Sequence, residues 1–181
     1  MLRPAAAVLM PQGLYYLEAK RKFHVGISRQ KVILLLVTGA GIGYFPRLPG
    51  TAATFMAIPL SLALNRLTYV SLPLAIVVLV LAVACAITLS SKGADILGQK
   101  DPQVIVIDEI VGFLIANFIS APNYLTLVLG FILFRFFDVA KIFPIAKLET
   151  LPGGSGIVLD DVMAGLYTFA IVHLLTWWGL L

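Results

Sequence analysis

The chain has 181 residues, of which 60% are hydrophobic and 12% are charged, and its mean hydropathy is +1.01. These values exclude an ordinary soluble domain and predict an all-α, polytopic membrane protein. The net charge of +4 is not accompanied by a nucleic-acid-binding motif, so no nucleic-acid partner is expected. The single cysteine, Cys85, excludes an internal disulfide.

The first 31 residues are predicted to form a basic cytoplasmic arm. Six cations precede the first apolar run: Arg3, Lys20, Arg21, Lys22, Arg29 and Lys31. Lys and Arg beside membrane segments mark the cytoplasmic side. We therefore divide the chain into this arm, residues 1–31, and a single helical membrane domain, residues 32–181.

Six apolar segments follow the arm, at about 32–45, 52–65, 70–89, 104–120, 123–137 and 157–178. The first is short and broken by glycines, "VTGAGIGYFP", which favours a re-entrant segment or half-helix over a crossing. About four full spans are expected besides it. In the fourth segment, Asp101 is predicted to be the helix N-cap and Pro102 the first helical residue.

This topology collects charged side chains at the cytoplasmic face. The acids are Asp108 and Glu109, a turn or two into the fourth segment, Asp138 at the end of the fifth, and Asp160 and Asp161 at the start of the sixth. Together with Arg135 and Lys141 they would cost on the order of 20 kcal/mol if they faced lipid, at ~3 kcal/mol each. A fold stabilised by ~5 to 15 kcal/mol cannot absorb that cost. We expect these groups to face one another, water or an ion.

Ion pairing alone explains only part of this collection. Asp138 has Arg135 and Lys141 three residues away on either side, so those three residues also fit a purely structural network. The two adjacent acidic pairs lack matching cations in their segments, and close anions repel unless a cation intervenes. Carboxylates and substrate phosphates are the usual ligands of Mg²⁺, so a hard divalent cation is expected.

Two glycine-rich stretches, "GAGIGYFPRLPGT" and "LPGGSG", precede helices on the same side of the membrane. Free backbone N–H groups and helix dipoles at such positions can bind phosphate, which makes Arg47, Gly50, Thr51 and Gly154 candidates. Glycine and proline near helix ends are also typical of plain turns. The prediction therefore depends on their position beside the acids.

Three blocks in this order resemble the phosphatidylglycerophosphatase A family of bacterial membrane lipid phosphatases. They are "GAGIGYFPRLPGT", "VIDEIVGF", and "FRFFDVAKIFPI" leading to "GGSGIVLDDVMAG", and they extend over about residues 36–172. The family's first block ends in Gly-Thr, one variable residue and Gly-Ser. This chain has Ala53 and Thr54 in place of that Gly-Ser.

The resemblance implies hydrolysis of the terminal phosphate of phosphatidylglycerol phosphate, a phospholipid substrate, at the cytoplasmic face of the bacterial inner membrane, with Mg²⁺ as cofactor. As a mechanistic hypothesis, Mg²⁺ ligands come from Asp108, Glu109, Asp160 and Asp161, and Asp138 is a further ligand or orients the attacking water. The residues assigned to the substrate phosphate are Arg47, Gly50, Thr51, Arg135, Lys141 and Gly154. The nucleophile, water or a carboxylate that forms an aspartyl-phosphate, stays open, as does the oligomeric state.

The main alternative is an ion or solute transporter. Broken helices whose ends point at a buried charged site are also typical of transporters. Two features favour the enzyme: the predicted acids lie near one face and not at the midplane, and the sequence shows no inverted repeat.

Overall fold

The computed structural model describes residues 29–121 and 123–181. Within these ranges the chain forms seven α-helices and one short 3₁₀ helix and has no β-strand, which confirms the all-α fold. The predicted basic arm lies outside the described residues, except for its last three, which begin the first helix.

The helices are α1 (Arg29–Val37), α2 (Pro49–Val70), α3 (Leu72–Leu97), α4 (Ile107–Ala116), α5 (Tyr124–Ala140), α6 (Ile145–Leu148) and α7 (Gly154–Trp177), with the 3₁₀ helix Ile42–Tyr44 between α1 and α2. Two described helices, α3 and α7, qualify by length and composition as candidate membrane spans. The expectation of about four full spans is therefore not confirmed.

The first apolar segment forms a short helix followed by a tight turn. α1 has nine residues and is about 14 Å long, less than half of a ~30 Å hydrocarbon core. Gly39 and Gly41 then adopt positive φ angles of 55° and 97°, which glycine tolerates. The N–H of Gly41 donates to the Thr38 hydroxyl at 3.1 Å. The short helix agrees with the predicted half-helix in the first apolar segment. That this segment enters the membrane and returns on the same side stays a prediction.

The fourth apolar segment contains a shorter helix than the sequence predicts. α4 begins at Ile107, so the predicted helix start with Asp101 as N-cap is wrong. Upstream, the Ile105 N–H closes a turn onto the Pro102 carbonyl at 2.8 Å, and the Val106 N–H donates to the Val37 carbonyl at 2.8 Å. The Val106 N–H thus bonds to the end of α1 and not to a carbonyl four residues earlier, as it would in a helix. α4 therefore has ten residues and is about 15 Å long.

A buried amide network satisfies the backbone where α4 ends. Asn65 of α2 donates from Nδ2 to the Asn117 carbonyl at 2.7 Å, and its Oδ1 accepts from the Ile119 N–H at 2.7 Å. Asn117 in turn donates from Nδ2 to the Ser61 hydroxyl at 3.1 Å. Buried backbone groups need such partners, so this network allows α4 to end inside the bundle.

α4 lies at the centre of the bundle and packs most extensively against α7. Two glycines permit the close approach of these helices. A β-carbon at Gly165 of α7 would collide with the Gly112 carbonyl oxygen of α4, and one at Gly112 would lie 2.8 Å from the Asp161 carbonyl oxygen. Small residues at helix contacts let backbones come together in this way. The contact places the N-terminal part of α7 beside the first turn of α4.

Candidate active site

The two adjacent acidic pairs lie on these two facing helices. Asp108 and Glu109 are in the first turn of α4, earlier in the helix than predicted, because the helix begins at Ile107. There, free backbone N–H groups and the positive end of the helix dipole favour carboxylates. Asp160 and Asp161 lie about two turns into α7 and are 6% and 3% exposed.

All five predicted acids line one cavity of about 290 Å³, called the polar cavity below. Its walls come from the start of α2, the first turn of α4, the end of α5 and the N-terminal part of α7. Among its lining residues are Asp108, Glu109, Asp138, Asp160, Asp161, Arg47, Gly50, Arg135 and Lys141. The structure thus brings nine of the eleven predicted site residues together.

Three of these acids lie close enough together to hold a metal ion. One carboxylate oxygen each from Asp108, Glu109 and Asp161 lies within 4.8 Å of the other two. Hard cations such as Mg²⁺ bind oxygen ligands at ~2.0 to 2.1 Å, so opposite ligands of one ion are separated by roughly twice that distance. Asp160 lines the same cavity but is outside this set.

Unpartnered carboxylate oxygens support a cation at this position. Asp108 Oδ1, Glu109 Oε2 and Asp160 Oδ1 are buried and have no hydrogen-bond partner among the described residues. Buried carboxylates are strongly unfavourable unless they are paired or coordinate a metal. The donor set, all oxygen and partly buried, fits Mg²⁺.

Arg135 and Asp138 form a charged pair at the end of α5. Arg135 Nη1 donates to Asp138 Oδ2, and the two side chains are only 19% and 16% exposed. Charge-assisted hydrogen bonds of this kind are strong and directional. Asp138 therefore fixes the direction of the guanidinium beside the acids.

Lys141 links two acids on different elements. Its Nζ donates to Asp160 Oδ2 at 3.1 Å and lies 2.9 Å from Glu149 Oε1. Burial alone would lower the pKa of the Lys141 ammonium, but the hydrogen bonds and negative charges of Glu149 and Asp160 outweigh burial and raise this pKa above its ordinary value. Lys141 therefore stays a cation at neutral pH.

Arg47 is exposed at the cavity wall and has no ion-pair partner among the described residues. Its backbone φ is +83°, a conformation that non-glycine residues rarely adopt and that is found at functional sites. Three residues later, Gly50 lies against Glu109, because a β-carbon at Gly50 would collide with Glu109 Oε1. Residues 47–50 thus carry a cation without an ion-pair partner, Arg47, and a glycine, Gly50, whose backbone lies against an acid of the cavity.

Two predicted phosphate-binding residues lie elsewhere. Gly154 packs against α3, where a β-carbon would collide with the Ile87 carbonyl, and Thr51 lines a separate apolar groove. The departure at Ala53 and Thr54 is also accommodated by packing: both are fully buried, and the Thr54 hydroxyl donates to the Gly50 carbonyl at 2.8 Å.

Asp101 and Gln103 also line the polar cavity, and the sequence prediction missed them. Both precede α4, at the place where the sequence predicts the start of that helix. The Asp-Pro pair at 101–102 is a turn signal that could have indicated a non-helical segment here.

Comparison with known proteins gives a family. The model of the family described as Phosphatidylglycerophosphatase A matches residues 35–176. The Phosphatidylglycerophosphatase A of Haemophilus influenzae is 35% identical over 156 residues, 85% of this chain and 94% of that protein. The protein of the same name in Escherichia coli is 31% identical over 141 residues, 77% of this chain and 80% of that protein.

A protein of Bacteroides thetaiotaomicron, provisionally named a phosphatidylinositol-3-phosphatase, is 32% identical over 148 residues, 80% of this chain and 93% of that protein. No solved structure has a significant match to the chain. The family match extends over both acidic pairs, Arg135, Asp138 and Lys141, and thus over the walls of the polar cavity. With its site inside the matched region, this chain belongs to the phosphatidylglycerophosphatase A family and is a phosphatase, a phosphoric monoester hydrolase.

Proposed function

We propose that the protein is a Mg²⁺-dependent phosphatidylglycerophosphatase that hydrolyses the terminal phosphate of phosphatidylglycerol phosphate to give phosphatidylglycerol. The observation that carries this proposal is the clustering of Asp108, Glu109 and Asp161 in one cavity with Arg47, Arg135 and Lys141. Oxygen ligands for a hard cation and donors for phosphate oxygens are what hydrolysis of a phosphomonoester requires.

Asp108, Glu109 and Asp161 would hold the ion, with Asp160 as a further ligand from the same wall. Mg²⁺ at this position supplies charge neutralisation and Lewis-acid polarisation of phosphoryl oxygens. The protein's own contribution is to position these carboxylates: Glu109 packs against Gly50, and Asp160 accepts a hydrogen bond from Lys141.

The cations act on the phosphate itself. Arg135, held by Asp138, presents its planar guanidinium to the phosphoryl oxygens, and Lys141 adds a fixed positive charge. Arg47, with no competing acid, binds the phosphate at the cavity wall. Donors held in place before the reaction stabilise the charge that develops on these oxygens.

The attacking group is water oriented by a cavity carboxylate, with Asp138 as the first candidate, or a carboxylate that forms an aspartyl-phosphate. Either route breaks the bond between phosphorus and the head-group oxygen and ends in inorganic phosphate. Rapid acid quenching with ³²P-labelled substrate separates them, because only the second route leaves acid-stable label on the protein.

The cavity is proposed to open to the cytoplasm at the inner membrane of a bacterium. In this arrangement α2 and α5 cross the membrane in addition to the two candidate spans α3 and α7; the four helices have 17 to 26 residues and lengths of about 26 to 39 Å. Four lysines lie on elements at the cavity end of the bundle: Lys92, Lys100, Lys141 and Lys147. Arg66 lies near the opposite end of α2, so the excess of positive charge supports a cytoplasmic cavity.

Phosphate release by the detergent-purified protein tests the proposal. Phosphatidylglycerol phosphate and phosphatidylinositol 3-phosphate are supplied in parallel, with Mg²⁺ or with chelator. Asp161→Asn is the test variant, and Asp95→Asn is its matched control, because Asp95 is exposed on α3 and does not line the polar cavity.

We expect Mg²⁺-dependent release from phosphatidylglycerol phosphate that Asp161→Asn abolishes and Asp95→Asn retains. Faster phosphate release from phosphatidylinositol 3-phosphate than from phosphatidylglycerol phosphate would show that the inositol lipid is the preferred substrate. Full activity in chelator, or in folded Asp161→Asn, would refute the metal assignment. The comparisons lend no support to the transporter alternative, which predicts ion flux in vesicles without phosphate release.

A further inference from the structure

An apolar groove of about 680 Å³ lies directly beside the polar cavity. It runs between the 3₁₀ helix, the first two turns of α2, and α5. Its apolar walls include Ile42, Phe45, Leu48, Phe55, Met56 and Phe131. Its volume is in the range of ~300 to 1,000 Å³ that is usual for ligand pockets.

One short segment separates the two spaces. Arg47, Pro49 and Gly50 line the polar cavity, whereas Thr51 and Ala52 line the groove. Leu48 lines both, so this residue lies at the border between the two spaces. A single ligand that occupies them must carry a phosphate at one end and hydrocarbon at the other.

We propose that the groove binds an acyl chain of the lipid substrate while the substrate's phosphate lies in the polar cavity. This inference rests on the proposed function, because a phosphorylated glycerolipid is the substrate that would fill both spaces. It also gives a place to Thr51. Thr51 lines the groove close to the shared wall, where its hydroxyl would donate to an ester carbonyl between the head group and the chain.

The groove acts mainly by orientation. A chain that leaves the bilayer or a detergent micelle gains little from the hydrophobic effect, since lipid tails are as apolar as the groove. Fixing the chain fixes the direction from which the phosphate enters the cavity, and a misplacement of about 1 Å can slow a reaction ~100-fold. A side chain that fills the groove should therefore slow hydrolysis of acylated substrates more than hydrolysis of deacylated ones.

Two groove-filling variants test this inference, Ala52→Phe and, at an exposed position of the same helix, Met56→Trp. Ala84→Phe is the matched control, because Ala84 is exposed on α3 and lines neither space. Each is assayed on dioleoyl phosphatidylglycerol phosphate in mixed micelles and on the deacylated head group in solution. The readout is the ratio of kcat/KM for the two substrates.

We expect this ratio to fall at least about tenfold in both groove variants and to stay at the wild-type value in Ala84→Phe, since displacement of the chain misplaces the phosphate. An unchanged ratio in folded groove variants would overturn the proposal. So would an equal loss on both substrates, because it would show that the segment acts only on the polar cavity.

Photo-crosslinking gives a readout that does not need turnover. A phosphatidylglycerol phosphate with a diazirine in one acyl chain should label residues 42–56 and the segment around Phe131, and Ala52→Phe should reduce that labelling. Even labelling of all exposed apolar faces would refute the groove. Selective labelling without phosphate release from either substrate would refute the proposed function and leave the groove as a lipid site.

Discussion

Gly112→Ala is the sharpest test of how the fold assembles the acidic cluster. A β-carbon at Gly112 would lie 2.8 Å from the Asp161 carbonyl oxygen and 2.7 Å from Phe134 Cε2. Ordinary van der Waals contact begins at 3.4 Å, so the α7 backbone must retreat by about 0.6 Å. Asp161 lies on that backbone and belongs to the possible metal-ligand set.

Two effects act on stability in opposite directions. Overpacking of a tight contact costs typically ~1 to 3 kcal/mol, whereas alanine is favoured over glycine inside a helix by ~1 kcal/mol. We therefore expect a net loss of at most about 2 kcal/mol and a protein that still folds. Activity should fall more steeply, by about tenfold or more, because a shift of ~1 Å at a reacting group can cost ~100-fold.

Gly130→Ala is the matched control, because a β-carbon at Gly130 of α5 would meet no atom within 4 Å. Phosphate release and thermal unfolding in detergent are measured for both variants. The control should keep wild-type activity. Wild-type activity in Gly112→Ala would refute the claim that the α4–α7 contact positions Asp161.

Three further predictions concern the site and its support. Arg135→Lys keeps the charge but loses the planar fork that Asp138 orients, so kcat should fall ~10- to 100-fold in a folded protein; wild-type kcat would exclude this role. Mg²⁺ should raise the thermal midpoint of the wild type but not of Asp161→Asn, and an equal rise in both would remove Asp161 from the ligand set. Asn65→Leu leaves the Ile119 N–H and the Asn117 carbonyl without their partner, so the free energy of unfolding should fall by ~2 to 4 kcal/mol; an unchanged value would show that the network is dispensable.

The grouping of the acids could be predicted because the physics behind it is independent of the detailed fold. Isolated charges are costly in lipid, and the lysines and arginines in the loops indicate which helix ends lie on the same side of the membrane. The local sequence does not decide where α4 starts, because an Asp-Pro pair is typical both of a helix N-terminus and of a turn. Asp101 and Pro102 satisfy the local rules for a helix N-terminus, but the hydrogen bond from Val106 to Val37 comes from a distant segment and overrides them.

Glycine-rich stretches were ambiguous for a different reason. Gly50 and Gly154 both lie at the start of a helix in a Pro/Gly-rich context, yet Gly50 contacts Glu109 whereas Gly154 contacts the α3 backbone. Both need the absence of a β-carbon, and the sequence does not say which neighbour requires it. Thr51 could not be placed from the sequence for a similar reason. Successive side chains on a helix point about 100° apart, so Gly50 lines the polar cavity whereas Thr51, the next residue of α2, lines the groove.

The charge balance of the polar cavity is a second argument for the proposed metal ligands. Asp138 is paired with Arg135, and Asp160 is paired with Lys141. The cavity acids that form no ion pair with a described cation are Asp101, Asp108, Glu109 and Asp161, and the last three are those whose oxygens lie within 4.8 Å of one another. Arg47 alone cannot offset four carboxylates and an incoming phosphate, so the side chains of the cavity by themselves repel the substrate that the cavity is proposed to bind. A divalent cation between the three acids removes that repulsion, and substrate binding itself, not only turnover, should therefore depend on it.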